Sequence, residues 1–112
     1  VYARRYLAGR GLWRKIREKV VPTMSVRGAL SAVEGGHVDA GIVYRTDVVN
    51  ERRVIISLAI PPKDTPDIVY QAAVMKDATS EVDTRHFLSY LQGPESIVAF
   101  EQAGFITLAG RD

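Results

Sequence analysis

Two short apolar runs, VIISLAI at residues 54–60 and IVYQAAVM at residues 68–75, flank the proline-rich segment PPKDTPD. Each run has the length of a buried strand and falls well short of the roughly 18 to 20 apolar residues that a membrane-spanning helix needs. The first run is continuously apolar rather than alternating, which favours a strand buried on both faces. AGIVY at residues 40–44 and FITL at residues 105–108 fit the same description, so four strands are predicted.

Helical periodicity fills the segments between these runs. Ser25 is expected to cap a helix that ends at Gly35 and Gly36, and Pro94 is expected in the first turn of a helix that ends at Gly104. The other predicted helices follow Tyr2, Tyr6 and Leu7; Leu12, Trp13, Ile16 and Val20; a cap at Thr46 or Asp47; and a cap at Thr79 or Ser80. Helices that alternate with buried strands predict an α/β fold in three layers, with a largely parallel sheet flanked by helices.

The composition suits a soluble globular unit. The chain has 112 residues, 46% of them hydrophobic, and a mean hydropathy of −0.03. Cysteine is absent, which excludes disulfides and thiolate metal sites. The first residues, VYARRYLAG, contain neither an initiating methionine nor an apolar signal segment, so the sequence is interpreted as an interior piece or a processed product.

Basic residues crowd the N-terminal end, although the net charge of the chain is only +2. They are Arg4, Arg5, Arg10, Arg14, Lys15, Arg17 and Lys19. So small a net charge argues against a nucleic-acid-binding protein. Dense charge on an amphipathic helix is usually a solvated face, and that is the interpretation made from the sequence.

Signatures of catalysis are missing from the sequence. It contains no nucleophile elbow, P-loop or dinucleotide-binding glycine pattern. His37 and His86 lie far apart and have no partner at the spacing of metal ligands, so they are interpreted as a turn residue and a helix-surface residue. We therefore expect no enzyme, no catalytic residue, no metal site and no cofactor.

The predicted helix start at Ser25 is a candidate anion site. The first turn of a helix leaves backbone N–H groups without intrahelical partners and carries partial positive charge, and Val26 would offer such an N–H group. Tyr44 ends a predicted buried strand, where its hydroxyl would lie at the edge of the sheet at which ligands of open α/β folds bind. The alternatives are that Ser25 only caps a helix and that Tyr44 is a half-buried packing residue; residue spacing does not decide between them.

The segment SVRGALSAVEGGHVDAGIVYRTDV resembles the signature of periplasmic molybdate-binding proteins of ABC transporters. YARRYLAGRGLWRKIREKVVP, IPPKDTPDIVYQAAVMKDA and FLSYLQGPESIVAFEQAGF are similar to further segments of that family. The resemblance therefore spans nearly the whole chain. It departs from the family at Gln71, where the family usually has proline, so the hinge strand is expected to run differently there.

The resemblance implies half of a two-lobed fold of the type II periplasmic-binding-protein class. Residues 1–66 would be a segment of the second lobe, and residues 67–112 would cross back into the first. It also implies a solute receptor that binds molybdate or tungstate through neutral donors, with Val26 matching a backbone donor and Tyr44 a hydroxyl donor. The family's remaining donors, two serines and a further backbone N–H, would lie before Val1.

The same resemblance implies the partners and the location. They are a small oxyanion, the membrane permease of an ABC importer, no nucleic acid, and a periplasmic setting. Half of such a fold would expose strand edges, so self-association is also expected. Two alternatives remain open: a ligand-sensing effector module of a transcription regulator, and a truncated chain that no longer binds.

Overall fold

The computed structural model describes residues 1–108 and divides the chain into two compact units, Val1–Ile68 and Val69–Asp112. We call them unit 1 and unit 2. Unit 1 holds both sequence-predicted site residues. The assignment of residues 1–66 and 67–112 to two different lobes stays a prediction.

Unit 1 contains four α-helices: α1 (Tyr2–Gly9), α2 (Trp13–Ile16), α3 (Val26–Glu34) and α4 (Arg45–Val48). A 3-10 turn at Arg17–Lys19 continues α2, and another lies in the proline-rich segment at Pro62–Asp64. Helix α1 packs against α2, and α3 packs against α4. The predicted helices at the N-terminus and after Ser25 are thus confirmed.

Helix α3 ends in a turn that requires glycine. Gly36 has φ +69°, a conformation that is costly for residues with a Cβ atom. The N–H groups of Gly36 and His37 donate to the carbonyls of Val33 and Ala32 at 3.0 and 2.9 Å. These bonds satisfy carbonyls that the end of the helix would otherwise leave without partners, and they turn the chain toward residues 40–44.

Unit 2 contains α5 (Glu81–Leu91) and α6 (Pro94–Gln102), which pack against each other. Pro94 occupies the first turn of α6, as predicted. The hydroxyl of Ser96 donates to the carbonyl oxygen of Tyr90 at 2.8 Å, and Ser96 is only 7% exposed. This bond ties the first turn of α6 to the last turn of α5.

The predicted sheet is not confirmed. Within residues 1–108 no β-strand forms, and the four segments 40–44, 54–60, 68–75 and 105–108 make no strand ladder. A ladder requires a neighbouring strand for its N–H and C=O groups, because one strand alone leaves them without partners. Whether an apolar run forms a strand therefore depends on a neighbouring strand, and the periodicity of the run itself does not reveal that neighbour.

Side-chain burial leads to the same conclusion. No hydrophobic side chain within residues 1–108 is fully buried. Ile55, Leu58 and Tyr70, all in predicted strands, are 88%, 72% and 74% exposed.

Within residues 1–108, no helix is both long and apolar enough to cross a membrane.

The predicted start of the helix after residue 44 needs a correction. The sequence favoured Thr46 or Asp47 as its cap, but α4 begins at Arg45 and its N-cap residue is Tyr44. Asp47 lies inside the first turn, and its carboxylate accepts a hydrogen bond from the N–H of Tyr44 at 3.3 Å. The Asp47 carboxylate, at the third position of the helix, thus accepts the backbone N–H of the N-cap residue Tyr44.

Candidate functional site

The N-terminus of α3 has the cap that the sequence predicts. Ser25 has extended backbone angles, φ −149° and ψ 162°, and its hydroxyl oxygen accepts a hydrogen bond from the N–H of Gly28 at 3.1 Å. The Ser25 carbonyl accepts the first intrahelical bond, from Ala29 at 3.1 Å. Thr23 stabilises the same turn, since its hydroxyl donates to the Ser25 carbonyl at 3.0 Å.

The cap leaves donors in the first turn unused. Within residues 1–108, the N–H groups of Val26 and Arg27 have no acceptor. The first turn of α3 contains no acidic residue that would compete for them. Two N–H groups at the positive end of a helix dipole form an arrangement that favours an anion.

Tyr44 offers a second kind of donor. The residue is half-buried, and its backbone is fixed at the start of α4 by the bond to Asp47. Its hydroxyl has no hydrogen-bond partner within residues 1–108. In these residues no side-chain polar atom is both buried and without a partner, so the Tyr44 hydroxyl must reach solvent. The hydroxyl is therefore able to donate to a ligand.

Gly41 brings the segment that leads to Tyr44 close to α3. A Cβ atom at this position would lie 3.0 Å from Val33 Cγ2 and 3.6 Å from the Ala29 carbonyl oxygen. The structure thus places Val26 and Tyr44 on neighbouring elements of one unit. No hydrogen bond within residues 1–108 joins the two residues.

Sequence reasoning missed a charged cluster near the other end of α3. In the structure the Arg53 guanidinium lies 2.8 Å from Glu34 Oε2, and Glu51 Oε1 accepts from the N–H groups of Arg52 and Arg53 at 2.8 and 3.0 Å. We call Glu34, Glu51 and Arg53 the carboxyl cluster. The 19-residue separation between Glu34 and Arg53 gave no sequence signal for it.

The two carboxyl groups of the cluster titrate in opposite directions. A hydrogen bond with Glu51, followed by burial, raises the pKa of Glu34 above its ordinary 4.5, although Arg53 opposes the shift. The hydrogen bond with Glu34 and those from the Arg53 and Arg52 backbone lower the pKa of Glu51 to about 2. Glu34 is therefore the first of the two carboxyl groups to take up a proton as the pH falls.

A cleft elsewhere in unit 1 contains neither predicted site residue. It has a volume of about 430 Å³ and is lined by Arg5, Tyr6, Gly9, Arg10, Lys63, Asp64, Thr65 and Pro66. Arg10 pairs with Asp64 across it at 2.6 Å. The candidate anion site is thus defined by donors without partners rather than by a closed cavity.

Comparison with known proteins shows the family. The chain belongs to the bacterial extracellular solute-binding proteins, whose family model matches residues 1–106. A Bacillus subtilis (strain 168) protein, provisionally named ABC transporter substrate-binding lipoprotein YvgL, is 38% identical over 105 residues, which are 93% of this chain and 40% of that protein. No solved structure matches the chain.

Two further relatives carry the name molybdate-binding protein ModA. The Escherichia coli (strain K12) protein is 31% identical over 94% of this chain and 40% of its own length. The Haemophilus influenzae (strain ATCC 51907 / DSM 11121 / KW20 / Rd) protein is 33% identical over 81% of this chain and 35% of its own length. The chain thus spans about 40% or less of the curated relatives it matches, and the resemblance that the sequence predicted is confirmed.

Membership of this family bears on the fold class and on the general role of the protein. It supports an α/β fold, although the described residues contain no sheet. The names of the family and of the relatives indicate a binding role rather than an enzymatic one. The roles of Val26 and Tyr44 stay predictions.

Proposed function

We propose that this chain supplies part of an oxyanion site in the solute receptor of an ABC importer, with molybdate or tungstate as the ligand. The observation that carries the proposal is the first turn of α3, in which the Val26 and Arg27 N–H groups have no acceptor within the described residues. The names of the two ModA relatives support molybdate as the ligand. In this proposal Val26 donates through its backbone and Tyr44 through its hydroxyl.

Neutral donors suit a buried tetrahedral dianion. Hydrogen bonds to an ionised acceptor are about twice as strong as those between neutral groups, and several of them can replace the hydration of the ion. Backbone N–H groups offer no acceptor, so a protonated anion such as hydrogen phosphate could direct its O–H only to the Tyr44 hydroxyl oxygen and would leave it without a partner elsewhere in the site. Molybdate and tungstate carry the same charge and nearly the same size, so such a site hardly separates them.

The rest of the proposed setting follows from the class of relatives. A solute receptor of an ABC importer delivers its ligand to a membrane permease, and the permease is the partner that we propose. The words extracellular and lipoprotein in the names of the family and of the Bacillus subtilis relative support a location outside the cytoplasm, which for an organism with two membranes is the periplasm. No nucleic acid takes part in this function.

Calorimetric titration of the chain with molybdate tests the proposal, with sulfate and phosphate as matched anions. We expect molybdate and tungstate to bind at least about tenfold more tightly than phosphate, since phosphate carries a proton near neutral pH. Equal binding of all four anions would indicate attraction by net positive charge and would contradict the proposal. A folded sample that gives no heat with molybdate would show that this chain alone does not bind.

A further inference from the structure

Positive charge is concentrated at the N-terminal end of unit 1. Residues 1–19 contain seven of the fifteen Lys and Arg residues and one of the thirteen acidic residues, Glu18. This segment therefore carries a net charge of +6, and the remaining residues together carry −4. So high a local density of positive charge favours approach to an anionic surface.

Part of this charge fixes the local structure. The guanidinium of Arg4 lies 5.0 Å from the centre of the Trp13 ring, and this cation–π contact joins α1 to α2. Arg10 lies 5.4 Å from the centre of the Tyr6 ring and pairs with Asp64 at 2.6 Å. These contacts hold the two helices and the proline-rich segment as one scaffold.

Other cations on the same scaffold have no counter-charge. Within residues 1–108, no carboxylate lies in ion-pair distance of Arg5, Arg14, Lys15, Lys19 or Lys63, and all five are exposed. We call these five residues the basic surface. Arg5 and Lys63 lie on the wall of the cleft of about 430 Å³, and Arg14, Lys15 and Lys19 lie on α2 and the turn that follows it.

Exposed aliphatic side chains lie within residues 1–19 and directly after them. Leu12, Val20 and Val21 are 42%, 39% and 62% exposed. Cations beside exposed aliphatic groups are typical of elements that lie on a membrane surface, where the charges contact headgroup phosphates and the aliphatic groups enter the interface. An acidic protein surface would satisfy the cations but would not explain the aliphatic groups.

We propose that the basic surface docks unit 1 onto an anionic phospholipid membrane. The cations contact headgroup phosphates, and the cleft between Arg5 and Lys63 accepts one headgroup. This interaction uses none of the donors of the candidate oxyanion site. The membrane-docking proposal therefore does not depend on the proposed function.

Sedimentation with vesicles tests this docking on the full 112-residue chain. We expect binding to vesicles of phosphatidylcholine with about one third phosphatidylglycerol and little binding to pure phosphatidylcholine. Raising the salt from about 0.05 M to about 0.5 M should weaken the binding at least about tenfold, because the Debye length falls from about 14 Å to about 4 Å and the anionic surface then attracts the cations over a much shorter range. Failure to bind the anionic vesicles at low salt would overturn the proposal.

A matched pair of double variants separates the basic surface from net charge. Arg14→Gln with Lys15→Gln should weaken binding about 25-fold, since each cation near an anionic leaflet contributes about fivefold. Arg52→Gln with Lys76→Gln removes the same charge from exposed positions outside the basic surface and should change binding less than about twofold. Equal losses in both variants would overturn the proposal, as would tighter binding to poly-glutamate than to the vesicles, which would point to an acidic protein partner.

Discussion

The hydroxyl oxygen of Ser25 accepts the N–H of Gly28 at 3.1 Å and leaves the N–H groups of Val26 and Arg27 without an acceptor in the described part of the chain. One side chain thus both stabilises α3 and determines which donors stay available. The cap satisfies the third donor of the turn and exposes the first two. The candidate site and the stability of its helix therefore depend on the same residue.

Substitution of Ser25 should separate these two roles. Ser25→Ala removes the cap and should destabilise α3 by about 1 kcal/mol, read from urea unfolding followed by circular dichroism. Ser25→Asp keeps an acceptor for the Gly28 N–H and should retain the stability. Its negative charge at the helix start should nevertheless abolish oxyanion binding. Oxyanion binding by Ser25→Asp as tight as that of the original chain would exclude the N-terminus of α3 as the site.

A residue larger than glycine at position 41 should crowd Val33. In Gly41→Ala the new Cβ atom would lie 3.0 Å from Val33 Cγ2, so Val33 would have to move, and we expect a loss of about 1 kcal/mol of stability. Gly9→Ala is the matched control, because no atom lies within 4 Å of the Cβ position there and alanine favours a helix. Adding Val33→Ala to Gly41→Ala should relieve the crowding; a strictly additive double variant would argue against this contact.

The carboxyl cluster should give unit 1 a stability maximum near pH 4.5. Glu51 has its pKa lowered to about 2 from 4.5, so its contribution is present above pH 4.5 and is lost as the pH falls toward 2. Glu34 has its pKa raised above 4.5, so its contribution is complete below pH 4.5 and is lost as the pH rises through the pKa of the folded state. The two losses lie on opposite sides of pH 4.5.

Amide hydrogen exchange of Arg52 and Arg53 measures this directly, because both N–H groups donate to Glu51. Protection factors should pass through a maximum near pH 4.5. Glu34→Gln should remove the decline at higher pH and Glu51→Gln the decline at lower pH. The exposed pair of Glu81 and Arg85 in α5 serves as the reference for ordinary surface charge. Protection factors that do not change between pH 2 and pH 8 would contradict the shifted pKa values of the two carboxyl groups.

The exposed apolar segments should make the chain self-associate. Ile55 and Leu58 belong to a predicted strand without a neighbour among the described residues, and a strand edge of this kind pairs with another chain. Sedimentation velocity should show concentration-dependent association between about 5 and 200 μM. Ile55→Lys should shift the chain toward monomer, whereas Met24→Lys, at a fully exposed position outside the predicted strands, should not. A monomer at every concentration would contradict this prediction.

The sequence predicted the helices well because their signals are local. Ser25 caps α3, Pro94 opens α6, and glycines follow α1 and α3 within a few residues of each end, so each boundary is set by neighbours in the chain. The predicted strands are not confirmed, for the opposite reason. VIISLAI has strand composition, but its hydrogen bonds need a partner that composition does not supply, and Ile55 stays 88% exposed.

For the candidate site, too, the sequence predicted the features whose signals are local. The unused N–H groups follow from the cap and the dipole of α3, both of which are local. The carboxyl cluster was not predictable, since Glu34 and Arg53 meet only because α4 and its following turn fold back toward the end of α3. The start of α4 was misplaced because Asp47 serves it from inside the first turn.

Tyr44→Phe should weaken oxyanion binding without unfolding unit 1. The variant removes one hydroxyl donor, which is worth about 1 to 3 kcal/mol when its partner is an otherwise unmatched buried acceptor. Val26→Ala should have a much smaller effect, because Val26 acts through its backbone N–H. Calorimetry on both variants makes the comparison, and an unchanged affinity in Tyr44→Phe would leave Tyr44 as a packing residue.

The most direct test of the central claim is a heteronuclear NMR titration of the isotope-labelled chain with molybdate. The account predicts saturable shifts of the Val26 and Arg27 amide signals, reduced in Tyr44→Phe, and much smaller shifts when phosphate replaces molybdate. Shifts confined to the amides of Arg5, Arg10 and Lys63 would instead show that the anion binds by charge in the basic cleft. That result, or unmoved Val26 and Arg27 signals at saturating molybdate, would contradict the claim that the N-terminus of α3 is an oxyanion site.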